Sequence, residues 1–141
     1  AQKPKASEAS FSTRKTRKME IIPFGAQDID NILQREPQRV ERLPFGAIML
    51  DRGGKITKYN SAEGLIAGRN PADVIGKDFF NEIAPCAKGK RFHGEFLKFA
   101  KPGAVNTMFD YEFEYKAKPV KVRIHLKAAN PESCWLFVKR A

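Results

Sequence analysis

Cysteine, histidine and long apolar runs are scarce in this chain, and each scarcity removes a class of function. The two cysteines, Cys86 and Cys134, stand in unlike contexts. That excludes a disulfide framework and any metal-ligand spacing built on thiols. No apolar run is long enough to cross a bilayer, and there is no signal peptide with an apolar middle. The expectation is a reducing, cytoplasmic setting without membrane insertion. A thiol enzyme needs a histidine base, and only His93 and His125 are available. His93 falls near the start of a helix and His125 on the charged face of a strand, with no Asn or Asp recognisably placed to orient either. Gly-rich phosphate loops, paired catalytic carboxylates and nucleotide fingerprints are missing too. The chain reads as a non-enzyme without a metal site.

What is present suffices for one core. The 141 residues are 42% hydrophobic and 30% charged, with a net charge of +10, the size of one domain plus an extension. Residues 1–18 hold six basic side chains against Glu8 alone, so half of the positive excess sits there. Phe11 is their single large apolar residue. Such a stretch cannot bury enough surface to offset chain entropy and reads as a basic disordered extension or leader. A self-contained domain is expected over 19–141. Because the charge excess is concentrated in the tail, the composition argues against nucleic acid as the domain's partner.

The pattern along the domain alternates short elements. Asp28 to Leu33 reads as a short helix. Phe45 to Leu50, apolar on both faces, reads as a central strand. Asp51-Arg-Gly-Gly54 marks a turn, and Lys55 to Tyr59 the returning strand. Asn60 or Ser61 caps a helix through about Ile66, and Asn70-Pro71 opens another turn of helix that Gly76 ends. The spacing of Phe92, Phe96 and Phe99 predicts a longer helix over Arg91 to Ala100. Val105 to Lys116 and Val120 to Leu126 alternate as strands, and Cys134 to Val138 is apolar on both faces. The fold expected is α+β, a five-stranded antiparallel sheet with short helices on one side, in the order of a PAS fold.

Chemistry gathers in the helical middle. Cys86 follows Pro85 at the end of an apolar run, which places its thiol in a defined loop. It is either a small core residue or an attachment point. Tyr59 and Glu63 are four residues apart and can face the same side. A carboxyl among Ala62, Leu65, Ile66 and Ala67 tends to stay protonated. The pair then offers two donors to one buried acceptor; the alternative is a surface glutamate beside a half-buried tyrosine. Arg69 either screens a buried negative charge or faces solvent. Phe109, Tyr111, Phe113 and Tyr115 share one strand face, as core or as the wall of an aromatic pocket.

Taken together these residues resemble the photoactive yellow protein family, blue-light photoreceptors with a PAS fold. The resemblance runs from Met19 to Ala141. It is carried by Phe45-Gly-Ala-Ile48, Tyr59-Asn-Ser-Ala-Glu-Gly64, Val74-Ile-Gly-Lys77, Phe79-Phe80, Ala84-Pro-Cys86, Asn106-Thr-Met-Phe109 and Trp135-Leu-Phe-Val-Lys-Arg140. It implies that Cys86 carries 4-hydroxycinnamic acid (p-coumaric acid) as a thioester. Tyr59 and Glu63 match the phenolate partners, Arg69 the arginine over the chromophore, and Phe79, Tyr111 and Phe113 the aromatic pocket. Two positions depart from the family pattern. Ala67 stands where a threonine bonds the tyrosine, so a mixture of protonated and ionised chromophore is expected in the dark. Ala117 stands where a methionine is associated with fast dark recovery, so altered recovery is expected. Trans-cis isomerisation, proton transfer from Glu63 and partial unfolding toward an unknown downstream signalling protein complete what the resemblance implies. The alternatives are a PAS-type module for a non-covalent aromatic ligand, or an engineered dye-binding tag.

Overall fold

Alternation in the last third of the chain builds the sheet. The computed structural model describes residues 22–88, 92–98, 105–115 and 118–140, with backbone alone at Cys86, Lys88, Glu114, Tyr115 and Lys118. Strands β1 (Gly46–Asp51), β2 (Ile56–Tyr59), β3 (Asn106–Tyr115), β4 (Lys118–Asn130) and β5 (Ser133–Arg140) form one antiparallel sheet in the order β2-β1-β5-β4-β3. The two segments read as apolar on both faces, β1 and β5, are interior strands, and each contributes to both cores.

The β1–β2 turn closes on Asp51. Its Oδ1 accepts the N–H groups of Gly53 and Lys55, both at 2.9 Å. Gly54 turns the chain at φ 90°, a conformation that costs glycine little. The outer edge of β2 is itself covered. Ile56 N–H donates to Lys77 O, Gly76 N–H to Ile56 O, and Phe79 N–H to Gly54 O. An edge sealed in this way does not recruit stray strands.

Helices α2 (Ser61–Ala67), α3 (Pro71–Val74) and α4 (His93–Leu97), with a π turn at Phe79–Ile83 and a 3-10 turn at Pro85–Lys88, lie between β2 and β3 in sequence. Buried residues from this insertion, among them Val74, Phe79, Phe80, Phe92 and Phe96, share one core with Ile48, Phe113, Ile124 and Leu136. Of the helix expected over Arg91 to Ala100, His93–Leu97 is α-helical, while Arg91, Phe99 and Ala100 lie outside the described residues. Phe92 and Phe96 are nonetheless both buried, as their spacing requires.

The opposite face carries a second core. Helix α1 (Ile29–Arg35) and a 3-10 turn at Pro37–Arg42 belong to the N-terminal segment. Ile22, Ile29, Leu33 and Leu43 pack there against Phe45, Ala47, Trp135 and Phe137. Each fully buried Phe, Leu or Ile stabilises by roughly 1.5–3 kcal/mol, so a charge at Ala47, Ile48 or Leu50 of β1 or from Cys134 to Val138 of β5 is unfavourable on either face. The basic stretch 1–18 lies outside the described residues.

Candidate functional site

Asn60 organises the junction of β1, β2 and α2. It is the N-cap of α2, and its Oδ1 accepts the Glu63 N–H at 3.0 Å and the Ala47 N–H at 2.9 Å. Its Nδ2 donates to Val40 O at 2.8 Å and Phe45 O at 3.1 Å. One buried amide thus joins the N-terminal 3-10 turn, the start of β1 and the helix bearing Glu63. Ser61 adds a second tie, since its N–H and Oγ both donate to Glu41 Oε1. Glycine at 68, at φ 69°, ends α2 and turns the chain toward Arg69.

Tyr59 and Glu63 are both buried, 6% and 2% exposed. Burial pushes the Tyr59 phenol far above its ordinary value, and the Glu63 charge adds to the rise while Arg69 opposes it. The phenol is therefore held as a hydrogen-bond donor, close to the Glu63 carboxyl and the Arg69 guanidinium. The sequence expectation for the surroundings of Glu63 needs one correction: Leu65 is 83% exposed and faces solvent. Glu63 packs instead against Gly46, on whose missing Cβ its carboxyl sits.

The loop before Cys86 is locally determined. Asp78 caps the π turn, accepting from Phe80 N–H and Asn81 N–H and from the Asn81 side chain. The Asn81 bond, the largest cause, holds the Asp78 carboxyl below its usual range. Ala84 and Ala87 are buried on either side of Pro85 and Cys86, so the turn is anchored in the core by its flanks. Arg69 Nη2 donates to Ile83 O at 3.3 Å. The arginine is half-buried and ties the end of α2 to the cysteine-bearing loop rather than pointing into solvent. Ala67, the last residue of α2, is half-buried beside it.

The aromatic face is both core and wall. The Phe113 ring lies 5.2 Å from Tyr111, 5.8 Å from Phe92 and 6.4 Å from Phe79. Edge-to-face and tilted contacts of this kind fix ring orientation. The helical insertion and this face thus bring Tyr59, Phe79, Tyr111 and Phe113 to one side of the sheet, with Glu63 seated against Gly46 of β1 and Arg69 tied to the turn that precedes Cys86. Ala117 and the Tyr115 side chain lie outside the described residues.

His125 is not on a solvated face. It is fully buried under the N-terminal segment, edge-on to Phe24 and tilted against Phe137. An asparagine does orient it: Nε2 lies 2.8 Å from Asn106 Oδ1, and Asn106 in turn donates to Gln27. The alternation placed His125 beside Lys121 and Arg123, and a covering segment brought in from far along the chain leaves no local signal. Being on the opposite sheet face, it does not meet Cys86. Cys134, in β5, is fully buried, and burial pushes its thiol up to about 12. It is a packing residue.

Sequence reading noted Asn60 only as a cap and Gly46 only as part of a strand. The N-x-x-E spacing signals the cap; the bonds to Val40 and Phe45 are non-local and carry no sequence signature. Glycine inside a strand does mark close approach.

Comparison with known proteins agrees with this geometry. The PAS fold family matches residues 34–130. A photoactive yellow protein of Cereibacter sphaeroides is 72% identical over 123 residues, covering 86% of this chain and 99% of its own. One from Rhodobacter capsulatus is 70% identical over 124 residues, covering 87% of this chain and 100% of its own. Among solved structures, the photoactive yellow protein domain of a sensor histidine kinase from Rhodospirillum centenum superposes with a TM-score of 0.73 at 34% identity. That match covers 79% of this chain and 99% of the other.

Proposed function

The chain belongs to the photoactive yellow protein family of PAS-fold proteins, and we propose that residues 19–141 sense blue light through 4-hydroxycinnamic acid held as a thioester on Cys86. When bound, that group supplies a conjugated phenol that absorbs blue light as its anion and isomerises about its double bond. The observation that carries the reading is the buried pair of Tyr59 and Glu63, which sits on the sheet face that also carries the Cys86 turn.

The donor set fits a phenolic oxygen. Tyr59 offers a proton that burial keeps in place. Glu63, in its neutral form, offers a second. Two donors converging on one oxygen stabilise its anion by short, charge-assisted bonds, against the desolvation that would otherwise keep a buried phenol neutral. Arg69 adds positive charge at the mouth of the site. Phe79, Tyr111 and Phe113 keep water out.

Once light has turned the bound phenolate, Glu63 would pass its proton to the phenolate oxygen, leaving a carboxylate at position 63 and a neutral phenol. That carboxylate, held in a low-dielectric interior, is unfavourable by several kcal/mol. That energy is delivered at the Asn60 junction, because Glu63 N–H and Val40 O are bound by the same amide. Loosening of the pocket and release of the N-terminal segment is the proposed signal, read by a downstream signalling protein.

The test is Glu63→Gln in the chromophore-bearing protein, followed by infrared difference spectroscopy under blue light. A transient loss of the protonated-carboxyl band in the wild type, absent in the variant, is expected, with a shifted visible band. An unchanged spectrum and photocycle in Glu63→Gln overturns the role of Glu63.

A further inference from the structure

Gly46 stands where no turn calls for glycine. Its backbone is ordinary strand; the positive-φ glycines among the described residues are Gly25, Gly54, Gly68 and Gly76. What it lacks is volume. A Cβ placed on Gly46 would overlap Glu63 Oε1, and would stand 3.0 Å from Glu63 Cβ and 3.1 Å from Glu63 Cδ. Most of the glutamate side chain therefore lies flat on the Gly46 backbone.

Neither element can step aside. Gly46 pairs with Val138 of the central strand β5. Helix α2 is clamped to β1, because the same Asn60 Oδ1 accepts from Ala47, the next residue, and from Glu63. With both backbones fixed, the part able to yield to a larger residue at 46 is the carboxyl end of Glu63. Gly64 makes the contrast. A Cβ there would meet Arg69 O at 2.7 Å and the Pro71 ring, so Gly64 serves the packing of the helix and its following turn, not the carboxyl.

We propose that Gly46 is a positioning residue for the Glu63 proton: the space left by its absent Cβ seats the carboxyl and sets its direction toward the acceptor. This rests on the reading of Glu63 as proton donor. Filling the seat with one methyl group displaces the carboxyl while leaving its chemistry intact. The bond to the phenolic oxygen lengthens, and the anion loses one of its donors.

Two measurements test this. In chromophore-bearing protein, Gly46→Ala should move the blue band in the same direction as Glu63→Gln and raise the neutral-to-anionic pigment ratio about tenfold, a shift of about one pKa unit. In chromophore-free protein, denaturant titrations of Gly46→Ala, Glu63→Ala and the double variant form a cycle. Gly46→Ala should lower the folding equilibrium constant about tenfold more in the wild-type background than in the Glu63→Ala background. Gly53→Ala, whose Cβ would meet only Asp51 Oδ1 at 3.5 Å, is the control. If Gly46→Ala does not fold, recovery of folding in the double variant supports the seat and continued failure overturns it. A moved band in Glu63→Gln with an unmoved one in Gly46→Ala overturns the positioning role alone, as does an equal stability loss in both backgrounds. An unmoved band in Glu63→Gln overturns the proton-donor role and the positioning role with it.

Discussion

Asn60 Oδ1 holds Glu63 by its backbone, at 3.0 Å from the Glu63 N–H. The same side chain satisfies Ala47, Val40 and Phe45, and it is 1% exposed. Asn60→Ala leaves a helix N-terminus uncapped, removes the partner of two buried backbone groups, Ala47 N–H and Phe45 O, and frees the part-buried Val40 O. A cap contributes about 1 kcal/mol and each orphaned buried group about 1–3 kcal/mol. The expected loss is on the order of 3–7 kcal/mol, read by urea denaturation. A loss smaller than a typical surface substitution, about 0.5 kcal/mol, contradicts the junction role.

The two thiols should behave differently. Cys134 is fully buried with its thiol pushed up to about 12, so almost no thiolate forms near neutrality. Iodoacetamide applied to native, chromophore-free protein at mildly alkaline pH should alkylate Cys86 and spare Cys134, with both modified after denaturation. Peptide mass spectrometry distinguishes the outcomes. Native labelling at Cys134 contradicts its placement.

Acid should loosen the N-terminal segment through His125. Burial, the largest cause, and the Lys127 charge hold its pKa below the ordinary histidine value of 6.5, with Asp30 opposing. The unfolded chain therefore takes up the proton first as pH falls. Its contribution to stability is complete above about 6.5 and is lost as pH drops toward the folded value. The imidazole Nδ1 has no hydrogen-bond partner among the described residues, so a proton there is unsatisfied. Lys127 Nζ pairs with Asp30 Oδ1 at 3.0 Å, which leaves less negative charge to offset it. Denaturation midpoints at pH 7.5 and pH 5 should differ more in the wild type than in His125→Phe. Trp135, buried under the same segment, provides the fluorescence readout. Equal pH dependence in both proteins contradicts the assignment.

Position 67 tests the hydrogen-bond count at the site. Ala67 brings no donor to the Tyr59 side. Ala67→Thr should raise the share of anionic, blue-absorbing pigment in the dark relative to the near-ultraviolet form. One added neutral hydrogen bond is worth about 1 kcal/mol, or roughly a fivefold change in that ratio. A ratio unchanged by the added hydroxyl contradicts a deficit of donors at this position.

Much of the fold was legible because strand periodicity is strict. Phe109, Tyr111 and Phe113 on β3, and Val122, Ile124 and Leu126 on β4, fall on one face as the alternation requires. Asn60 and Asn70 cap their helices as their positions suggest. What escaped was set by distant parts of the chain. The π turn at Phe79–Ile83 depends on Asp78 and on docking to β2, and its apolar residues carry no clear period. His125 reads as exposed until residues 22–35 cover it. Of the candidate site, Tyr59, Glu63, Arg69 and the lone thiol of Cys86 were visible as residue types in a pattern, and the resemblance supplied the role of Cys86. The close approach of Gly46 to Glu63 is a tertiary fact that one glycine in a strand hints at but does not specify.

The central claim is a covalent, light-sensitive pigment on Cys86. Wild-type protein and Cys86→Ala, each mixed with activated 4-hydroxycinnamic acid, dialysed and scanned in the visible before and after blue illumination, test it most directly. A blue band in the wild type alone, bleaching under light and returning in the dark, is expected. A featureless visible spectrum in the wild type, or an equal band in Cys86→Ala, contradicts it.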